Sequence, residues 1–540
     1  MKLFKNFEIE KGVFYPPAIL LLLMILIGAI NPGGFANIAS KALAFTIDKF
    51  GWFYLLSAFA MFAGTIGIMF SSFGKLKIGG PNAKTEQSVF AWCAMAVCGG
   101  IATAMVFWSV AEPLTHYYTP PVFTGAEPQT HESAIRGLQI GIYHWSILPY
   151  SLFTIFGVAA AHAIYNKKLP FRASSTLYPI LGDKIYGPWG KGIDALSILA
   201  LVGGVITSLG FGTMQFASGL DFLFGLKQNN TVYVGIIIAL TLSYTVSSAR
   251  GLQKGMKIIS SINSYIYIVL VAFLLLFGPT KFLLNVLVET IGSFIQNFIP
   301  SSFNADAFNV GNGWSGGWTI FFWAWWMAYA PLIGMFLARI AIGRTIRQFI
   351  LVNIFVPGAF LFIWFTAFGG SAIYYEHFQQ AGIMDIINAK GLEVSMYALF
   401  QNMPLRSITI PVGIAALGFS FITLADAMTS TIASMTIKNN VDEEAPQSLK
   451  VFWGFLIGGV TIVCLLVSGT VGTQALQSMS IVFALPIFIF GCAVLISIFK
   501  MAAEVEKEKE EKEVIRSVKL TLDDEVKSPS EVDNKVLNSL

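Results

Sequence analysis

Residues 318–329 read WTIFFWAWWMAY. At 100° per residue, Trp318, Phe322, Trp325, Trp326 and Tyr329 fall within about a third of a helix circumference. The apolar segment that carries them runs from about Gly317 to Leu337, long enough to cross a bilayer. That places Trp325, Trp326 and Tyr329 near mid-depth, whereas membrane tryptophans ordinarily collect at the interfaces. An aromatic wall at this depth calls for a ligand or for tight helix packing.

The rest of the chain has the same solvent. Hydrophobic residues make up 55% of it and charged residues 12%, and apolar runs long enough for a hydrocarbon core of roughly 30 Å recur throughout. The expectation is an all-α polytopic membrane protein with 12 transmembrane helices. The spans fall near 14–31, 52–72, 88–110, 139–164, 193–222, 232–247, 257–278, 317–338, 348–371, 408–436, 450–468 and 474–499. The first follows Lys2, Lys5 and Lys11 and has no small-residue cleavage site after it, so it reads as a membrane helix, not a signal peptide.

Basic residues choose the orientation. Lys75, Lys77 and Lys84, then Lys167, Lys168 and Arg172, then Arg250, Lys254 and Lys257, then Arg339, Arg344 and Arg347, and finally Lys438 with Lys450 fall in alternate connectors. The positive-inside rule then puts both termini in the cytoplasm of a cell (plasma) membrane protein. Residues 1–13 form the cytoplasmic N-terminus, 14–87 carry helices 1–2, 88–278 helices 3–7 and 301–500 helices 8–12. Residues 279–300 space apolar residues helically between Lys281, Asn285, Glu289 and Gln296, which suits an amphipathic helix on the outer surface. From 501 to 540 the chain becomes a charged cytoplasmic tail with too few apolar residues for a core.

Enzyme chemistry finds no foothold. Cys93, Cys98, Cys464 and Cys492 lie inside predicted spans without metal-type spacing, and His116, His131, His144, His162 and His377 are scattered. No phosphate loop, nucleophile elbow or metalloprotease motif occurs. The protein is expected not to be an enzyme, to need no cofactor and to have no nucleic-acid partner.

Interrupted helices at membrane depth point to transport sites, because unwound backbone faces a polar ligand only where it lines a cavity. Gly99 and Gly100, followed by small residues to Ala104, interrupt the third span; Pro331 and Gly334 interrupt the eighth. Two inverted five-helix repeats, spans 3–7 and 8–12, would explain that spacing. Gly and Pro are common in membrane helices generally, so the pattern alone leaves the repeat open.

The run GWTIFFWAWWMAYAPLIGMFLARIAIGRTIRQFI at 317–350, with FWSVAEPLTHYYTPP at 107–121, TSLGFGTMQFASGL at 207–220 and HWSILPYSLF at 144–153, resembles the betaine/carnitine/choline transporter family. The resemblance implies a 5+5 inverted repeat of the amino-acid/sodium-symporter (LeuT) type preceded by two additional helices. It also implies a homotrimer and alternating-access transport of small quaternary amines. A trimethylammonium group offers no N–H donor, so aromatic faces must hold it, each contributing about 0.5–2 kcal/mol when desolvated. Trp325, Trp326 and Tyr329 supply one wall of such a cage.

The resemblance assigns the second wall to span 4, at Trp145, Tyr150 and Phe153, with Pro149 loosening the helix. Tyr150 stands where a Trp is common and Phe153 where a Tyr is common. Trp318 matches a residue of an outer substrate site in the family's exchangers, and His116 and Tyr117 are further candidates. A substrate carboxylate would be read by backbone amides at Gly100, Ala102 and Ala104, where the family has a Gly-x-Gly-x-Gly unwinding; alanine restricts that backbone. For coupling, sodium-dependent members use adjacent Thr and Ser hydroxyls on span 10, and here Thr423 is followed by Leu424, one hard oxygen ligand fewer. Sodium-independent exchangers use an Arg on span 7 and a Met on span 8, and here those positions hold Ser264, beside Asn263, and Ile333. Asp426 could carry a proton or an ion or serve structurally, and Glu112 of the AEP motif reads as a structural helix-end residue. The leading expectation is a secondary transporter of glycine betaine, carnitine or a related solute by exchange or proton coupling. The alternatives are a sodium-coupled betaine or choline symporter, and a sensor or channel on the same scaffold.

Overall fold

The computed structural model describes residues 7–98, 102–249, 252–438, 445–466 and 470–527. Apart from two isolated bridges, Ile9 with Ile437 and Lys77 with Thr345, the described residues are helices and their connectors. Among the described residues, ten helices are long and apolar enough to cross a membrane by length and composition, and two shorter apolar ones span Asn230–Tyr244 and Ser261–Phe277. This is the architecture of an integral membrane protein.

Helix α1 (Lys11–Ile30) is joined to α2 (Pro32–Phe70) by one residue, Asn31, whose side chain accepts the backbone N–H of Gly34 at 2.9 Å. The polar residues between 32 and 51 suggested a connector, yet the cap and Pro32 in the first turn start the helix there and carry it across both regions. Expected span 88–110 falls on α3 (Val89–Cys98) and α4 (Ala102–Tyr118), and Gly99 and Gly100 lie outside the described residues. Next come α5 (His131–Trp145) and α6 (Ile147–Ala160), separated at Ser146. A short α7 (Tyr178–Leu181) precedes the long α8 (Pro188–Phe224), then α9 (Asn230–Ala249) and α10 (Leu252–Phe277).

The expected amphipathic segment forms α11 (Thr280–Ser302), buried along a stripe of Leu283, Val286, Thr290 and Phe294 while Leu284, Val288, Ile291 and Ile295 are exposed. The aromatic wall lies on α12 (Phe321–Ile340), preceded by a π-helical turn over Gly316–Ile320. After α13 (Ile346–Phe365) come α14 (Ser371–Gln379), α15 (Ile383–Lys390) and α16 (Ser395–Gln401), a cluster of short helices. The chain ends with α17 (Arg406–Met435), α18 (Gln447–Leu466) and α19 (Thr470–Lys527).

At the centre, α12 packs against α6, α8 and α19. It runs unbroken through Pro331 and Gly334, so these residues do not interrupt it. Gly334 serves close approach instead: a Cβ there would meet the Gly157 nitrogen at 2.6 Å, and a Cβ on Gly157 would meet the Gly334 oxygen at 3.0 Å. The helices α6 and α12 therefore cross backbone to backbone, which brings their aromatic side chains together.

Candidate functional site

The break between α5 and α6 creates the site. Ser146 has φ −106° and ψ −117°, far from helical values, and Pro149 has no N–H to return to the carbonyl of Trp145. The break at Ser146 also releases the carbonyl of His144, the ordinary acceptor of the Leu148 N–H, from the helix ladder. It accepts the indole N–H of Trp326 at 3.1 Å across the α6–α12 contact. The neighbouring Trp145 donates its own indole N–H to Glu112 Oε2 of α4 at 2.9 Å. Both tryptophans are thus oriented by one kink.

The rings gather around them. Trp326 lies 5.0 Å from Tyr150, 5.0 Å from Phe153 and 5.7 Å from Trp145, centroid to centroid. Trp145 meets Trp325 at 6.1 Å, nearly perpendicular at 84°, and Phe322 at 5.2 Å. Aromatic pairs favour such tilted and edge-to-face arrangements, and one cation reaches several faces when their centroids are within about 6 Å. Trp145, Tyr150, Phe153, Trp325 and Trp326 are all buried.

Residues of α8 complete the wall, and sequence reasoning had not named them. Trp325 donates its indole N–H to the Gly204 carbonyl at 3.3 Å and packs on Phe211 at 5.8 Å, while the Tyr329 hydroxyl is 2.7 Å from Ser208 Oγ. Gly204 leaves no room for a side chain: a Cβ there would meet Tyr329 Cε2 at 2.6 Å. The sequence signal was present in the stretch 207–220, but its site residues could not be separated from ordinary small-residue packing.

Other expected residues lie around this centre. Trp318, half-buried in the π turn, touches Trp108 at 5.7 Å and His116 at 4.5 Å, one layer from the main cluster. The Tyr117 hydroxyl is 2.7 Å from His377 Nδ1 and bonds the Gln129 carbonyl at 3.3 Å, a direction that leads to the helix end. Ala104 is buried and Ala102 opens α4, whereas Gly100 lies outside the described residues. Glu112 does not sit at a helix end; it is fully buried within α4 and bonded to His144 Nδ1 at 2.5 Å.

Of the coupling candidates, Asn263 and Ser264 lie on α10 and Thr423, Leu424 and Asp426 on α17, whereas Ile333 belongs to α12. Asn263 Nδ2 donates to Ser420 Oγ at 2.9 Å, and Tyr267 bonds the same hydroxyl. Thr423 donates to the Phe419 carbonyl at 2.8 Å. Asp426, Leu424 and Ile333 are buried, and Ser264 is half-buried.

A polytopic helical protein whose aromatic and polar side chains converge between helices, not at the surface, has the build of a solute carrier. A family model described as BCCT, betaine/carnitine/choline family transporter, matches residues 12–507. The chain belongs to that family, whose members are transporters and not enzymes. It is 37% identical to a probable glycine betaine transporter of Desulfitobacterium hafniense over 91% of this chain and 97% of the relative. An ectoine/hydroxyectoine transporter of Virgibacillus pantothenticus is 34% identical over 93% of this chain and 98% of its own length. An osmo-dependent choline transporter of Acinetobacter baylyi is 33% identical over 91% of this chain and 71% of its own.

Proposed function

We propose that the protein is a secondary active transporter of a quaternary ammonium osmolyte, glycine betaine foremost, with carnitine and choline as the related candidates. The observation that carries this reading is the convergence of Trp145, Tyr150, Phe153, Trp325 and Trp326 from α5, α6 and α12 at centroid spacings of 5.0–6.1 Å. A trimethylammonium head makes no hydrogen bonds of its own, and a cage of aromatic faces is the chemistry that holds it. The rings touch each other in this conformation, so substrate enters as Trp326 separates from Tyr150 and Phe153.

Alternating access takes place around this cage in a twelve-helix bundle of two inverted five-helix repeats behind α1 and α2. Both termini are cytoplasmic, and three copies associate. The transport mode is sodium-independent, by exchange or proton coupling. Buried Leu424 brings no side-chain oxygen beside Thr423, one hard ligand fewer for a sodium ion.

Proteoliposomes test the whole reading. Labelled glycine betaine, carnitine and choline are offered with and without sodium and with preloaded counter-substrate, beside labelled ectoine, which lacks a trimethylammonium group. Uptake of a trimethylammonium solute against a gradient without sodium is expected. Strict sodium dependence overturns the coupling mode, and uptake of ectoine alone overturns the substrate class.

A further inference from the structure

Glu112, His116 and His144 form a titratable cluster with zero to 1% exposure, directly behind the cage. The Glu112 carboxylate takes His144 Nδ1 at 2.5 Å and the Trp145 indole N–H at 2.9 Å, with His116 Nε2 at 3.6 Å. His144 Nε2 is 2.9 Å from Thr319 Oγ1 in the π turn. Among the described residues, neither ring nitrogen of His116 has a hydrogen-bond partner, an expensive arrangement for a fully buried, purely structural residue. A cage that only needed packing could do without three titratable groups there.

We propose that this cluster is a proton-binding site whose occupancy is read by the cage, so that a proton and a cationic substrate oppose each other's binding. The inference rests on the cage reading above. One carboxylate and two neutral imidazoles carry one negative charge; one added proton makes the cluster neutral. Both states have a hydrogen-bonding solution. The Thr319 hydroxyl donates to a neutral His144 or accepts from a protonated one, and His116 offers an unused nitrogen.

The state is passed to the cage by two bonds. An anionic Glu112 draws on the Trp145 N–H and enriches its ring for a cation, and that effect weakens when the carboxylate is neutralised. The carbonyl of His144 holds Trp326. Charge adds in the same direction, because a proton within one ring of the substrate cation repels it.

Other charged groups on elements packed against α4 are engaged elsewhere or stand apart. Glu376 and His377 of α14 bond Tyr118 and Tyr117, and Arg136 of α5 lies over the Phe123 ring. Helix α17 contributes Asp426, α8 carries Asp194 and Asp221 near its two ends, and Glu393 lies beyond α15. Among the described residues, the ion-pair partners of Glu112 are His116 and His144.

The full-length protein in detergent is titrated from about pH 5 to pH 9, first ligand-free by tryptophan fluorescence and then for choline and glycine betaine affinity by calorimetry in two buffers of different ionisation heat. Expected are a ligand-free transition, a choline Kd that rises toward acid by up to about tenfold per pH unit, and proton release on binding. Glu112→Gln should abolish the pH slope. Trp145→Phe keeps a ring but cuts the N–H link, so it should keep the ligand-free transition while flattening the slope; it carries the test should Glu112→Gln fail to fold. A wild-type Kd that does not change with pH, or a Glu112→Gln slope equal to wild type, overturns the proton site. A normal ligand-free transition with no binding of either compound overturns the cage reading instead.

Discussion

The cage depends on residues too small or too plain to attract notice. Ser208 bonds the hydroxyl of the fully buried Tyr329. Removing one partner of a buried pair costs about 1–3 kcal/mol, while removing both is much milder. Ser208→Ala should therefore lower the thermal midpoint of the purified transporter more than the double variant Ser208→Ala/Tyr329→Phe does. Gly204→Ala should displace the Tyr329 ring, because its Cβ would stand 2.6 Å from Cε2; overpacking of this kind costs about 1–3 kcal/mol. The expected outcome is weaker substrate binding together with lower thermal stability. The tryptophans themselves were legible, since rings at mid-depth conflict with membrane preference. Gly204 and Ser208 were not, because a small residue in a membrane helix carries no pattern that separates a ring-seating role from packing. Glu112 read as a structural residue at a helix end, because its partners His144 and Trp145 lie 32 and 33 residues away, a contact no local spacing announces.

At the scale of elements, one kink and one crossing place the rings. Pro149 announced loosening of the helix, but the break falls at Ser146, and the use of the freed His144 carbonyl by Trp326 depends on a helix far along the chain. The crossing rests on Gly157 and Gly334, whose backbones touch. Gly334→Ala would force α6 and α12 apart, and Trp326 would leave Tyr150 and Phe153. A lower thermal midpoint and a loss of uptake are expected together, whereas Gly33→Ala, on α2 with open space around its Cβ, should change neither. Helix boundaries were less legible than helix existence. Asn31 and Pro32 start α2 well before its expected span, and Pro331 was read as an interruption although the α12 ladder continues through it.

Across the molecule, the N-terminal segment ties separate helices together on one side. Glu10 pairs with Lys191 at 2.9 Å and Arg172 at 3.6 Å, and Glu8 with Lys438 at 2.8 Å, while the Glu10 N–H bonds the Thr436 carbonyl. Burial opposes the charge on Glu10, but Lys191 and Arg172, with Lys438 farther off, outweigh it and hold the carboxyl below its ordinary value of 4.5. A carboxyl held low in the folded state stabilises it above the ordinary value, and that contribution fades as pH falls from 4.5 through the depressed value. The thermal midpoint should fall over that window, and Glu10→Gln should flatten the fall. Arg172 and Lys438 of this network were read from sequence as markers of orientation, whereas Lys191 was not named; that they clasp the N-terminal segment was not legible, since Glu8 and Lys438 are 430 residues apart. All of this serves the cage, and the most direct test is uptake of labelled glycine betaine, carnitine and choline into proteoliposomes by the wild type, Trp325→Ala and Trp326→Ala. Each substitution removes about 0.5–2 kcal/mol of cation–ring attraction, so the half-saturating concentration of the transported compound should rise about 2- to 30-fold in each variant. Unchanged uptake of all three compounds by both variants would contradict the account.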